Sequence, residues 1–206
     1  MSKVSDAIAP PRLVIIDSGG YNIGSVMAAM ERLQVDATLS DDPALIQSAS
    51  HVILPGVGHA AAAMRKLREH GLDRLIPQLT QPVLGICLGM QLLYEHSDEG
   101  NVDCLGVLPG TVTRLPSGDG LRVPHMGWNQ LQWHANAALQ QALPDPAWMY
   151  FVHSYAAPVN ACTVASATHG SAFTAVAQHG NFLAAQFHPE RSAQAGAALL
   201  RTFLAL

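Results

Sequence analysis

The sequence predicts an α/β fold, with an open, mostly parallel central sheet, helices on both faces and an antiparallel extension. Three observations carry this. The first half alternates short, almost wholly apolar runs with amphipathic segments. The second half changes to short strand-like runs separated by turn signals. The 206 residues, 49% of them apolar, are enough for one full hydrophobic core.

In chain order, Arg12 to Ile16 reads as a buried strand, and Ile23, Val26, Met27, Met30 and Leu33 then recur at helical spacing. Val35 to Leu39 is a second strand, Pro43 to Ala49 a short helix and His51 to Leu54 a third strand. Ala60 to Glu69 and Leu72 to Leu79 read as helices, Val83 to Ile86 as the next strand and Leu88 to Tyr94 as the helix after it. Strands this apolar need cover on both faces, as in a parallel sheet. Thr111 to Leu115, Asn129 to Trp133, Tyr150 to Tyr155, Cys162 to Thr168, Thr174 to Gln178 and Leu183 to Phe187 are strand candidates. Pro116 to Gly120 and His179 to Asn181 are the turns among them. They are expected to extend the sheet rather than build a second domain. A final helix covers Ala193 to Leu204, with Ser192 as its N-cap. The expected organisation is one domain over 12–206 behind a loose tail at 1–11, which lacks the apolar core of a signal peptide.

Charged residues make up only 13% and the net charge is −4, with no basic run, which argues against nucleic acid as a partner. No apolar stretch approaches the ~20 residues of a membrane helix. Cys87, Cys104 and Cys162 are odd in number and scattered, so a disulfide framework is not expected and a reducing cytoplasm fits better. Each cysteine is then a free thiol.

The sharpest local signal is Gly85-Ile86-Cys87-Leu88-Gly89, a cysteine between glycines after an apolar strand and before a helix. It is the thiol version of a nucleophile elbow, in which the flanking glycines remove clashes and the helix N-terminus favours thiolate. A structural cysteine beside packing glycines is the bland alternative. The second signal is His188-Pro189-Glu190, between a strand and the last helix. Pro189 biases His188 toward extended backbone, where residues two apart point the same way, so His188 and Glu190 can both reach the strand ends near Cys87. A carboxylate that orients an imidazole beside a thiol is triad logic. The third signal is Pro55-Gly56-Val57-Gly58, just past a strand. Its backbone N–H groups at Gly56 and Val57, with that of Leu88, suit an oxyanion hole. Alone, it is equally an ordinary glycine turn.

At this point the chain resembles the class I glutamine amidotransferases, through G-x-C-x-G-x-Q followed far downstream by H-P-E. Longer stretches are similar to the glutaminase subunits of imidazole glycerol phosphate synthase. They are LPGVGH (Leu54 to His59), GICLGMQL (Gly85 to Leu92), PHMGWN (Pro124 to Asn129), YFVHSY (Tyr150 to Tyr155) and FHPERS (Phe187 to Ser192). The resemblance runs from about Leu13 to the C-terminus.

The resemblance implies a flavodoxin-like fold and hydrolysis of L-glutamine to glutamate and ammonia. Cys87 is implied as nucleophile, His188 as proton shuttle and Glu190 as its orienting group. Gly58, Gln91, Ser154 and Tyr155 are implied to hold the substrate. The implied partner is a cyclase with a (β/α)₈ barrel fold, joined in a heterodimer that makes imidazole glycerol phosphate and aminoimidazole carboxamide ribonucleotide for histidine biosynthesis. Asn22, Met126, Trp128, Tyr150 and Arg191 fall where such glutaminases meet the cyclase, although Trp128 and Tyr150 read equally as core aromatics. A flip of the Gly56–Val57 peptide is expected to gate the reaction with the partner. Two positions depart from the family pattern: Gly20-Tyr21-Asn22 replaces a Gly-Asn pair, and Arg191 replaces a lysine. No cofactor is expected, because neither a metal-type spacing nor a phosphate loop occurs. The rival readings are the glutaminase of pyridoxal phosphate synthesis, a Cys-His peptide hydrolase and a non-catalytic protein of the same fold. PHMGWN argues against the first, Glu190 against the second and the complete Cys87, His188 and Glu190 set against the third.

Overall fold

The computed structural model describes residues 12–18, 22–56, 58–118, 120–134 and 138–206. The expected tail, Tyr21 and Val57 lie outside these. The first half reads β1 (Leu13–Ile16), α1 (Ile23–Arg32), β2 (Ala37–Ser40), α2 (Pro43–Ser48), β3 (His51–Gly56), α3 (Ala60–Glu69), α4 (Leu72–Leu75), β4 (Val83–Cys87) and α5 (Leu88–Leu92). The second half reads β5 (Tyr94–Ser97), β6 (Val102–Asp103), β7 (Leu108–Arg114), β8 (His125–Gln130), β9 (Gln132–Trp133), α6 (Ala138–Ala142), β10 (Trp148–His153), β11 (Tyr155–Ala156), β12 (Thr163–His169), β13 (Ser171–His179), β14 (Phe182–Ala185) and α7 (Ala193–Leu204).

One eight-stranded sheet runs in the order β2-β1-β3-β4-β14-β13-β12-β9. Its first five strands are parallel, and β13, β12 and β9 add antiparallel pairings. Alternation along β1 shows why both faces need cover. Leu13 and Ile15 pack with Val26 and Met30 of α1 and Leu199 and Phe203 of α7. Val14 and Ile16 pack on the other face with Ile46 of α2 and Met64 and Leu67 of α3. Helix α2 begins where Asp42 accepts a hydrogen bond from Ala44 N at 2.8 Å, with Pro43 in the first turn. No helix among the described residues is long and apolar enough to cross a membrane.

The helix expected over Leu72 to Leu79 is α-helical only to Leu75 and passes into a 3₁₀ turn at Ile76–Gln78, and three further expectations need correction. The antiparallel extension takes only part of the second half, because β8 pairs with β10 as a ribbon and β5, β6, β7 and β11 form a separate sheet. Tyr94 opens a strand instead of closing the helix begun at Leu88, which ends at Leu92. Ser192 occupies the N-cap position of α7 but makes no side-chain cap bond. Its hydroxyl instead donates to His188 O at 2.7 Å and accepts from Tyr150 N at 2.9 Å.

Candidate active site

The parallel strands β3, β4 and β14 lie side by side, and their carboxyl ends form one corner of the molecule. Cys87 ends β4 and sits in the left-handed region at φ 53°, ψ −109°, a conformation that costs energy outside glycine. The close fit of the neighbouring glycines holds the turn. A Cβ on Gly89 would collide with Leu54 O, one on Gly85 would lie 2.9 Å from Gly89 O and one on Gly56 2.9 Å from Gly89 N. Gly56 is therefore glycine for close approach, with its partner across the strands being Cys87 itself. The positive φ in this loop belongs to Gly58, at 105°. Leu88 is the first residue of α5, so its N–H is a first-turn donor that the helix leaves unpaired.

His188 follows β14 with extended backbone at φ −100°, ψ 95°. Glu190 reaches it by a route other than the expected extended segment, because Pro189–Arg191 is a 3₁₀ turn. That turn folds Glu190 Oε1 back to 2.7 Å from His188 Nδ1. Both side chains are withdrawn from solvent, at 3% and 1% exposure. The carboxylate accepts the Nδ1 proton, so Nε2 is the nitrogen left to exchange a proton with the thiol. That Nε2 is buried and has no hydrogen-bond partner among the described residues. Burial pulls the His188 pKa down. The nearby Cys87 sulfur, then the Glu190 carboxylate, favour the charged imidazole by more than burial disfavours it and raise the pKa to about 10.

A cavity of about 480 Å³ opens beside Cys87 and His188, and Gly58, Leu88, Gln91, Ser154 and Tyr155 line it. Every described residue expected to hold substrate is therefore gathered there, together with Asn22 and Arg191. Asn22, expected at a partner surface, also bonds to Glu190, with its Nδ2 2.6 Å from Glu190 Oε1. Gln91 is buried, with its Nε2 donating to Tyr155 O at 2.8 Å and to Gln186 Oε1 at 3.0 Å. Among the lining residues Glu99 is the one carboxylate, and its Oε2 accepts from Ala60 N at 2.9 Å. Glu99 belongs to the Ser97-Asp98-Glu99-Gly100 segment, which also fits the family pattern, whereas no sequence motif flags Gln186. A glutamine at the end of the apolar run of β14 was the available signal, since a buried amide must have partners.

Met126, Trp128 and Tyr150 meet on one face of the β8–β10 ribbon, where Tyr150 lies across from Trp128 and Val152 across from Met126. Met126 is 63% and Trp128 51% exposed, so the core-packing alternative fails for Trp128, whose ring stands edge-on to Tyr150 at 6.0 Å. Trp148, also half exposed, adds to this strand pair. No group of three or more His, Cys, Asp or Glu among the described residues could hold a metal ion.

Comparison with known proteins gives a consistent result. The family model for class-I glutamine amidotransferase matches residues 14–206. The chain is 57% identical over 192 residues to imidazole glycerol phosphate synthase subunit HisH of Xanthomonas axonopodis pv. citri (strain 306), covering 93% of this chain and 96% of that protein. It is 51% identical, with the same coverage, to the protein of that name from Xylella fastidiosa (strain Temecula1 / ATCC 700964). A crystal structure of a glutamine amidotransferase aligns with a TM-score of 0.72 at 20% identity, over 93% of this chain and 97% of that one. The structure of PurLQS from Thermotoga maritima aligns with a TM-score of 0.71 at 18% identity, over 95% of this chain and 98% of that one. At these identities the two structures speak for the fold alone.

Proposed function

The chain belongs to the class-I glutamine amidotransferases, and within them to the HisH subunits of imidazole glycerol phosphate synthase, and on that footing we propose that Cys87, His188 and Glu190 carry its glutaminase reaction. The observation that supports this most is the adjacency of β4 and β14, which places Cys87 at the end of one parallel strand and His188 just past the end of its neighbour, with Glu190 Oε1 2.7 Å from the imidazole.

The steps follow from the site. His188 Nε2 takes the Cys87 proton, and the thiolate attacks the side-chain amide carbon of glutamine. The carbonyl oxygen becomes an oxyanion, met by the N–H of Leu88 and by the Gly56–Val57 backbone. His188 returns its proton to the amide nitrogen, the C–N bond breaks and ammonia leaves a glutamyl thioester. A water molecule, deprotonated by His188, attacks that thioester, and glutamate and the Cys87 thiol are released. Glu190 stabilises the imidazolium formed in each half. Gly58, Gln91, Ser154 and Tyr155 hold the glutamine. Both hydrogens of the Gln91 amide are engaged, so Gln91 meets substrate through its oxygen.

The ammonia passes to a cyclase with a (β/α)₈ barrel, which makes imidazole glycerol phosphate and aminoimidazole carboxamide ribonucleotide in the cytoplasm. That cyclase docks on the face of Met126, Trp128, Tyr150 and Arg191. The deciding experiment measures glutamate from glutamine for this chain with the cyclase, beside cyclase turnover supplied with ammonium salt. Product from ammonium but not from glutamine after Cys87→Ala supports the assignment. Glutamate release that survives Cys87→Ala refutes it.

A further inference from the structure

We infer that Gln186 is a further residue of the active site, which holds a side-chain N–H on the Cys87 sulfur and so favours the thiolate that begins the reaction. This rests on Cys87 being the nucleophile.

Gln186 is fully buried between β14 and His188. Its Nε2 lies 3.8 Å from Cys87 Sγ, within reach for a donor to sulfur. The orientation of that amide is fixed by its neighbours. Tyr155 O is a carbonyl and can only accept, so the Gln91 nitrogen must face it, at 2.8 Å. The same nitrogen lies 3.0 Å from the Gln186 oxygen, so the Gln186 nitrogen faces sulfur. Turning the Gln186 amide over would set N–H against N–H and a carbonyl oxygen against a thiolate.

Tyr155 O is pinned from its other side by an equally one-way chain. His153 Nδ1 donates to it at 2.8 Å, and His153 Nε2 then accepts from His125 Nδ1 at 3.1 Å. His125 Nε2 in turn accepts from Asn129 Nδ2 at 3.3 Å. Asn129 cannot turn over, because its Nδ2 also donates to Thr168 O and its Oδ1 accepts from Gln130 N. The chain requires neutral imidazoles. Burial first, then repulsion from His169, pushes His125 down to about 4, and burial is likewise the largest effect in pushing His153 down to about 3.

The sulfur thus sits between two kinds of partner. Val152 O, at 3.9 Å, can accept from the thiol, whereas Gln186 can only donate, which suits the thiolate. A hydrogen bond to a charged group is the stronger kind. Gln186 tips the Cys87–His188 pair toward thiolate and imidazolium, because its donor favours the sulfur left behind when the proton passes to His188 Nε2.

The test is carbamidomethylation of the full chain by iodoacetamide at neutral pH, followed at Cys87 by mass spectrometry, beside thiolate absorbance near 240 nm read as a difference from Cys87→Ser. Gln186→Met, close in volume but without a donor, is expected to slow Cys87 labelling on the order of tenfold and to reduce that absorbance. A folded Gln186→Met chain with unchanged labelling and absorbance overturns the inference. The unsubstituted chain gives an independent test that does not depend on the variant folding. With ¹⁵N-glutamine labelling, the assigned Gln186 side-chain NH₂ signals should shift as Cys87 titrates and stay still in Cys87→Ser. Signals that do not follow Cys87 overturn the inference. A Cys87 that resists labelling in the unsubstituted chain overturns the glutaminase assignment as well.

Discussion

Asn22 Nδ2 lies 2.6 Å from Glu190 Oε1 and 3.1 Å from His188 Nδ1. Since His188 Nδ1 donates to the same carboxylate oxygen, the amide bonds to Glu190 and only crowds the imidazole. Asn22 therefore offsets a buried negative charge and fixes its angle to His188. Asn22→Ala is expected to lower glutamine turnover on the order of tenfold, the usual effect of losing a hydrogen bond to a charged group. Asn22→Asp should be worse, because it sets one carboxylate against another. Steady-state glutamate production checks both, and an Asn22→Asp as active as the parent would count against this role.

Cys87→Ala should abolish glutamine hydrolysis, while Cys104→Ala and Cys162→Ala stay active. Burial pushes the Cys104 thiol up to about 11, against a smaller pull from Arg68, so it is a poor nucleophile near neutral pH. A glutamine-mimicking electrophile should label Cys87 alone. Mass spectrometry of the labelled chain decides this, and a label on Cys104 would contradict it.

Glu190→Gln should reduce kcat by roughly 10²–10⁴ with little change in KM for glutamine. Glu190 touches His188 and Asn22 and is absent from the cavity lining, so it acts when imidazolium charge develops. A large rise in KM at constant kcat would move Glu190 into substrate binding.

Stability should depend on pH through His188. Its pKa is raised from 6.5 to about 10, so the folded state binds the proton more tightly than the unfolded chain does. The resulting stabilisation is complete below about pH 6.5 and fades as pH rises through about 10. Tm should therefore fall across that window, and fall less in Glu190→Gln, which lacks one of the groups raising the pKa. Differential scanning fluorimetry of the two chains measures this, and parallel curves would exclude it.

Trp128→Ala should weaken cyclase binding by about tenfold or more, as for an aromatic anchor. It should also weaken stimulation of the glutaminase. Tyr150 pairs with Trp128 across the ribbon, and Tyr150 O accepts from His188 N at 2.9 Å, so the proposed docking face is bonded to the backbone of the proposed base. Glutamate production is expected to be low for the chain alone and higher with the cyclase and its nucleotide. Equal rates in every arm would exclude coupling.

The legible parts of the sequence were those with a repeating pattern. Helices α3 and α7 have the bounds that the apolar spacing predicts, and the strands of the parallel sheet follow apolar runs. Strands β5 and β6 were hidden because Tyr94 continues the apolar run of α5 and their other residues are mostly polar. Cys87, His188 and Glu190 stood out because turn chemistry flags them, although Glu190 reaches His188 through a 3₁₀ turn rather than extended backbone. Asn22 and Gln186 carry no such flag. Their placement depends on partners far along the chain, 168 residues away for Asn22 and Glu190.

The place of β14 in the sheet bears on how the chain is born. Although β14 is the last strand in sequence, it lies between β4 and β13, in the interior of the large sheet. Emerging from the ribosome, Cys87 appears long before the strand that brings His188 beside it. Domains generally begin folding from the N-terminal side during synthesis. The first four parallel strands can assemble early, but the sheet cannot close until residues 182–185 arrive. With the proposed triad, a nascent chain that has reached Cys87 but not β14 has no base beside the thiol, and hydrolysis of glutamine must wait for residues 182–190.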